Sequence, residues 1–151
     1  MKVSEIMSRN VITIKKDTSI EEIAHILTEN NISGVPVVDD ENHVIGMVTQ
    51  KDLLYRDIEP RFPAVVEILG GLIFLKGVRH YQEELRKIVA TKAENLMTRN
   101  VITINEDAEI EKAAELMVEK DINRIPVVIN GNLAGIVSRA DIVRYIAKKM
   151  E

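Results

Sequence analysis

The segment MTRNVITI (residues 97–104) repeats the segment MSRNVITI (residues 7–14) at an offset of 90 residues. The correspondence continues to Val38 and Val128, and after a one-residue deletion in the second copy it resumes at an offset of 89 residues. Two copies are too few for a solenoid, because roughly three repeats are needed before stacked neighbours bury a continuous core. We therefore expect a closed pair about a pseudo-two-fold axis, with two related clefts.

The composition indicates a globular protein rather than a nucleic-acid or membrane protein. The chain has 151 residues, of which 46% are hydrophobic and 29% charged, and its formal net charge is −4. This mild acidity, without a basic and aromatic surface or a polybasic patch, argues against nucleic-acid and membrane partners. The absence of cysteine excludes disulfides, thiol catalysis and cysteine-bound metals. No signal peptide or apolar span is recognisable, so we expect a cytoplasmic location.

Each copy has the pattern of a β-α-β-β-α unit. In the first copy, the β-branched segment Val11–Ile14 precedes a helix with one apolar face, and the strands Val35–Val38 and Val44–Val48 lead to a second helix. In the second copy, Asn130 and Gly131 predict a tight hairpin turn. We predict an α/β protein of the α+β type, in which two such units pack about the pseudo-two-fold axis.

The repeat divides the chain into three parts. We expect a first unit at residues 1–54, a connector at residues 55–90 and a second unit at residues 91–151. The connector matches neither copy, and its residues 64–69 and 81–90 each predict a helix. We expect this insert to pack on its own domain or on a second subunit.

Polar residues stand where the last strand of each copy ends and a helix begins. They are Thr49 and Asp52 in the first copy, and Ser138 and Asp141 in the second. The N-terminus of a helix attracts phosphate, and a carboxylate there can accept hydrogen bonds from both hydroxyls of a ribose. The alternative is a capping box, in which the carboxylate returns a hydrogen bond to the N-cap backbone N–H. Asp is one methylene shorter than the usual Glu or Gln, and this favours the ligand role.

The motifs follow the same order in both copies: Met-Ser/Thr-x-x-Val-x-Thr, a helix, Ile-x-x-x-Val/Ile-Pro-Val-Val and Gly-x-Val-Ser/Thr-x-x-Asp. This order, present twice over residues 1–54 and 91–147, resembles the cystathionine β-synthase (CBS) domain pair, or Bateman module. The resemblance implies a regulatory sensor, not an enzyme, that binds AMP, ADP, ATP, S-adenosylmethionine or a dinucleotide and requires no cofactor. It also implies a homodimer that buries helices such as residues 51–56 and 141–149, and an effector protein as partner.

The resemblance further implies that each cleft combines both copies. Asp141 and Ser138 would face the first copy, whereas Asp52 and Thr49 would face the second. The remaining residues of the two clefts would be Ile12, Thr13, Ile102 and Thr103 at the adenine, and Ser33, Gly34, Val35, Pro36, Asn123, Arg124, Ile125 and Pro126 on the opposite walls.

The two clefts should differ in space and charge. Gly34 is replaced by Arg124, and Gln50-Lys51 by Arg139-Ala140. Arg124 and Arg139 are the best candidates for phosphate contacts because a guanidinium can bind phosphate through two hydrogen bonds, and Lys51 and Arg144 are weaker candidates. The alternative for each of them is a solvated surface cation.

Three functions remain open at this stage. The first is an adenosine-ligand sensor that signals through a homodimer or an effector protein, and the second is a scaffold whose aspartates serve only as helix caps. The third, a nucleotide-acting enzyme, has little support because the sequence contains no phosphate-binding loop and no dinucleotide fingerprint. No metal site is expected either, because His25, His43 and His80 share no metal-ligand spacing.

Overall fold

The computed structural model describes residues 1–57 and 90–151. The two helices expected within the connector lie outside these residues, except for Ala90, which is in neither a helix nor a strand. Among the described helices, none is long and apolar enough to span a lipid bilayer.

The described elements follow the α/β order that the sequence predicts, twice over. The first copy contains α1 (Ile20–Glu29), β1 (Gly34–Val38), β2 (Val44–Thr49) and α2 (Gln50–Asp57). The second copy contains a short helix α3 (Ala93–Leu96), β3 (Ile104–Asn105), α4 (Ile110–Glu119), β4 (Arg124–Ile129), β5 (Asn132–Ser138) and α5 (Arg139–Lys149). A 3-10 turn at Val3–Glu5 is the first-copy counterpart of α3.

Each copy has an antiparallel hairpin at its centre. Strand β1 pairs with β2 in the first copy, and β4 pairs with β5 in the second, where β3 adds a parallel strand. In the first copy, the expected leading strand is reduced to one parallel bridge between Ile14 and Val37. The predicted tight turn is confirmed, since Asn130 and Gly131 have φ angles of 51° and 83°, as a type I′ turn requires.

The start of each copy packs in the hydrophobic core of the other copy. Val3 and Met7 are buried in the core of the second copy, and Leu96 and Met97 are buried in that of the first. Backbone hydrogen bonds hold both of these exchanged segments. The N–H of Val3 donates to the carbonyl of Ala108 at 2.8 Å, and the N–H of Ala93 donates to the carbonyl of Thr18 at 2.9 Å. Because each core needs both sequence copies, the two units stabilise each other.

Two methionines pack closely on two glycines at this exchange. A β-carbon on Gly135 would lie 2.5 Å from Sδ of Met7, and a β-carbon on Gly46 would lie 2.7 Å from Cγ of Met97. Any larger residue at either glycine would displace the methionine side chain. The glycines of the repeated Gly-x-Val motif therefore serve the contact between the copies.

Candidate ligand site

A cavity of about 600 Å³ lies between the two copies, and we call it the Asp52 cavity. On one side, its walls come from the end of β2 and the first turns of α2. On the other side, they come from the start of β4 and from residues 98–102, which we call the leading segment of the second copy. The lining residues are Ser33, Met47, Thr49, Gln50, Lys51, Asp52, Leu54, Tyr55, Thr98, Asn100, Val101, Ile102, Asp121, Ile122, Asn123, Arg124 and Pro126. Both copies of the repeat are therefore needed to form it.

Backbone hydrogen bonds fix the leading segment of the second copy on the first copy. The N–H of Met47 donates to the carbonyl of Thr98 at 3.0 Å, and the N–H of Thr98 donates to the carbonyl of Met47 at 2.9 Å. Ser8 and Ile136 form the equivalent pair of bonds on the other side, each 2.9 Å long. The wall opposite Asp52 is thus held by main-chain contacts that do not depend on side-chain identity.

Asp52 stands at the start of α2 with only 5% of its surface exposed. The backbone N–H of Thr49 donates to Oδ2 of Asp52 at 2.9 Å, and the Thr49 hydroxyl lies 3.4 Å from the same oxygen. A carboxylate has two oxygens that together can accept about four hydrogen bonds. The bond to the helix start therefore orients Asp52 without excluding a ligand role.

Asp141 forms a complete capping box with Ser138. The Ser138 N–H and hydroxyl both donate to Oδ2 of Asp141, at 2.8 and 2.7 Å, and Ser138 Oγ accepts from the Asp141 N–H at 3.3 Å. The expectation that Asp is too short for a capping box is wrong, because at both helix starts the cap N–H lies within reach of the shorter side chain. Capping therefore does not distinguish the two roles of these aspartates.

The second oxygen of Asp141 is held by Arg144. Nη1 of Arg144 donates to Oδ1 at 3.0 Å, and the Asp141 side chain is 12% exposed. The residue equivalent to Arg144 in the first copy is Tyr55, which cannot form this ion pair. Both carboxylate oxygens of Asp141 thus have partners from its own helix start.

Asp141 lines a different cavity, of about 530 Å³, beside α5. The other lining residues are Met1, Glu5, Ile6, Arg144, Tyr145, Lys148 and Lys149. The first copy thus contributes its N-terminal turn here, whereas the resemblance implied Ile12, Thr13 and Pro36. A second cleft around Asp141 with those residues stays a prediction.

Arg124 reaches from the second copy to the first within the Asp52 cavity. Its Nη2 donates a hydrogen bond to the hydroxyl of Ser33, and it forms no ion pair with any described residue. Burial lowers the pKa of Arg124, although a guanidinium remains charged in proteins. A half-buried cation without a carboxylate partner makes this part of the cavity attractive for an anion.

Arg139 lies outside the lining of the Asp52 cavity and is bound to the end of α4. Its Nε donates to the carbonyl of Ile122 at 3.1 Å, and its Nη2 to the carbonyl of Met117 at 3.3 Å and to Asp121 Oδ1 at 3.2 Å. Cations commonly satisfy the free carbonyl groups at a helix C-terminus in this way. The sequence did not reveal this position because the partners lie 17 to 22 residues away.

The structure separates the other expected site residues into two groups. Lys51, Ile102, Asn123, Arg124 and Pro126 line the Asp52 cavity together with Ser33. The remaining residues do not line it: Val35 and Ile125 are 0% exposed in the two cores, Gly34 and Pro36 are buried, Ile12 and Thr13 are half-buried, and Thr103 is exposed.

Sequence reasoning missed several lining residues. Asn100 repeats Asn10, which is a signal that the repeat itself contains. Met47 and Thr98 line the cavity because the leading segment of the second copy pairs with the first copy at Met47, and no local sequence pattern indicates that contact. Tyr55 belongs to α2, although the expected boundary assigned it to the connector.

Comparison with known proteins identifies the family. A family model for the CBS domain matches residues 3–59 and 93–148, which together form most of the chain. The chain belongs to the CBS domain family and contains two CBS domains in tandem.

Relatives and solved structures support the same assignment. The protein MJ1404 of Methanocaldococcus jannaschii is 38% identical over 146 residues, and the match covers 97% of this chain but only 32% of MJ1404. The crystal structure of CBSX2 from Arabidopsis thaliana in complex with AMP has a TM-score of 0.84 at 27% identity, with 99% of each chain covered. The CBS domain pair of protein MJ0100, solved with 5′-methylthioadenosine and S-adenosyl-L-methionine, has a TM-score of 0.72 at 29% identity, covering 99% of this chain and 98% of that one.

Proposed function

We propose that this CBS-pair protein is a regulatory sensor that binds an adenosyl ligand in the Asp52 cavity. The observation that carries the proposal is the buried Asp52 at a helix start, facing the leading segment of the other copy across a cavity of about 600 Å³. That volume is within the range of small-molecule sites, which are roughly 300–1,000 Å³. The similar structures of CBSX2 and MJ0100 contain AMP and adenosyl compounds, and this adds support.

Each part of an adenosyl ligand has a suitable partner in this cavity. The Asp52 carboxylate would accept hydrogen bonds from the ribose hydroxyls, and the base would lie against the segment Asn100–Ile102. Arg124 and the exposed Lys51 are the cations available to a phosphate group. AMP, ADP, ATP and S-adenosylmethionine all share the adenosine part of this arrangement.

The signal would pass through the helices that follow the two aspartates. Helices α2 and α5 carry exposed apolar side chains, with Leu54 at 62%, Val143 at 64% and Ile146 at 47% exposure. Such residues suit a homodimer contact or an effector protein, as the family resemblance implies. A ligand shifts this output only if it binds one arrangement of the helices better than the other. We propose no enzymatic activity.

A scaffold without a ligand remains the second candidate. The observation in its favour is that Asp141 has partners for both carboxylate oxygens within its own helix start. If Asp52 served only as a cap in the same way, the cavity would be incidental to the contact between the copies.

A thermal-shift panel separates the two functions. Adenosine, AMP, ADP, ATP and S-adenosylmethionine are added to the wild type, to Asp52→Asn and to the matched control Asp40→Asn, whose side chain is fully exposed outside the cavity. A ligand at 100 times its Kd adds about 2.7 kcal/mol of stability. We expect at least one compound to stabilise the wild type and the control, and to stabilise Asp52→Asn much less. No stabilisation by any compound would favour the scaffold.

A further inference from the structure

Two equivalent positions of the repeat meet where the copies face each other. Position 34 holds glycine and position 124 holds arginine, and a β-carbon on Gly34 would lie 2.5 Å from Nη1 and 3.0 Å from Cζ of Arg124. Real β-carbons almost never approach another atom to 2.5 Å. A larger residue at position 34 would have to displace the guanidinium, so the glycine of one copy makes room for the arginine of the other.

A hydrogen bond across the interface holds the guanidinium over Gly34. Nη2 of Arg124 donates to Ser33 Oγ, and Cδ of Arg124 would lie 3.2 Å from a β-carbon at position 34. Ser33 and Arg124 both line the Asp52 cavity. Arg124 has no ion pair among the residues that the structure describes, so the hydrogen-bond acceptor of its guanidinium is an uncharged hydroxyl.

A phosphate group in the same cavity would compete with Ser33. A hydrogen bond from a guanidinium to a phosphate gains the attraction between opposite charges, which a bond to a hydroxyl lacks, and a phosphate can accept two such bonds in parallel. The Ser33 bond must be broken, or at least shared, before Arg124 can bind a phosphate in that way. The contact across the interface therefore opposes phosphate binding.

We propose that Ser33 and Gly34 form a latch that holds Arg124 and lowers the affinity of the Asp52 cavity for adenosyl ligands with a phosphate. The inference rests on the proposed function and concerns how that site is regulated. A phosphate-bearing ligand draws the guanidinium away from Ser33, whereas adenosine leaves the bond between the copies in place. The two kinds of ligand thus leave the interface in different states, which is the differential effect that a sensor needs.

The test compares AMP with adenosine, because these ligands differ only in the phosphate. Calorimetry gives the Kd of each, and the ratio of the adenosine Kd to the AMP Kd reports the contribution of the phosphate. The proteins are the wild type, Ser33→Ala, Gly34→Ala and Arg124→Ala. Gly34 does not have a positive φ angle, so alanine fits its backbone while its β-carbon excludes the guanidinium.

We expect Ser33→Ala to raise the ratio about tenfold, which corresponds to removing one hydrogen bond to a charged group. Gly34→Ala should raise the ratio as well, and Arg124→Ala should lower it, leaving Lys51 as the cation available to the phosphate. A lower ratio in Ser33→Ala would overturn the latch, because Ser33 would then help to bind the phosphate. Unchanged ratios in both Ser33→Ala and Gly34→Ala would also overturn it.

Failure of the proposed function gives a different result. In that case neither adenosine nor AMP binds the wild type. If both bind equally well and Arg124→Ala changes nothing, the adenosyl site stands and the latch is wrong.

Discussion

The first turns of α2 and α5 have the same sequence plan but different surroundings. Asp52 and Asp141 each accept a hydrogen bond from the backbone N–H of the residue three positions earlier. Three residues further on, the first copy has Tyr55 and the second has Arg144, which binds the remaining oxygen of Asp141. Duplication has therefore kept the helix cap, whereas the side chain three residues after the aspartate differs between the copies.

The largest effect should come from the exchanged segments that hold the two copies together. Leu96 is 0% exposed in the core of the first copy, and its counterpart Ile6 is only partly buried beside the core of the second. Leu96→Ala should lower the free energy of unfolding by about 2–5 kcal/mol, because it leaves a cavity in a closed core. Urea denaturation should show a smaller loss for the matched variant Ile6→Ala. Equal losses would contradict the unequal packing of the two segments.

An intermediate effect should follow when the first helix start is given the arginine of the second. Tyr55→Arg places a guanidinium three residues after Asp52, as Arg144 follows Asp141, so it should compete with the ribose hydroxyls. We expect the affinity for adenosine to fall about tenfold, the value of one hydrogen bond to a charged group. Calorimetry measures the change, and the reciprocal variant Arg144→Tyr is the control that should leave this affinity unchanged. If Tyr55→Arg bound adenosine as tightly as the wild type, Asp52 would not be the ribose partner.

The smallest effect concerns an ion pair between the copies that has no equivalent at the corresponding positions, Lys92 and Ser19. Lys2 Nζ lies 2.8 Å from Glu109 Oε1, whereas the counterpart of Glu109 in the first copy is the uncharged Ser19. The hydrogen bond from Lys2 lowers the pKa of Glu109 below its ordinary value of 4.5. A lowered pKa means that the pair stabilises the fold above pH 4.5 and loses this effect as the pH falls through the folded-state value.

Thermal unfolding across that pH range tests the ion pair. Glu109→Gln should have a slightly lower Tm than the wild type at neutral pH, and the difference should disappear in acid, where Glu109 is protonated. The exposed Glu111 provides the control Glu111→Gln. A Tm difference that persisted unchanged at low pH would show that the pair does not act through the charge of Glu109.

The repeat was sufficient to predict the order of the elements. Hydrophobic periodicity located α1 and α4, and the Asn130-Gly131 pair located the hairpin turn, because these signals depend only on local residues. The exchange of the N-terminal segments could not be predicted in this way. It depends on contacts between residues about 90 positions apart, and a buried Val3 or Leu96 has the same local pattern in either core.

The candidate site was predictable only in part. The repeated Ser/Thr-x-x-Asp motif identified Asp52 and Thr49, and the resemblance to CBS pairs placed the second copy opposite them. Arg139 shows the limit of such reasoning, because a guanidinium beside a helix start suits a phosphate as well as the carbonyl groups of a neighbouring helix end. Only the three-dimensional arrangement shows that the latter contact is formed.

One NMR titration tests most directly whether the cavity between the copies is the adenosyl site. Ile102 lines the Asp52 cavity, and Ile12 is its equivalent in the first copy, outside that lining. With isoleucine methyl groups labelled, adenosine should shift and saturate the Ile102 signal while the Ile12 signal changes little, and Asp52→Asn should weaken the response. A saturating shift at Ile12 with no change at Ile102 would contradict the account.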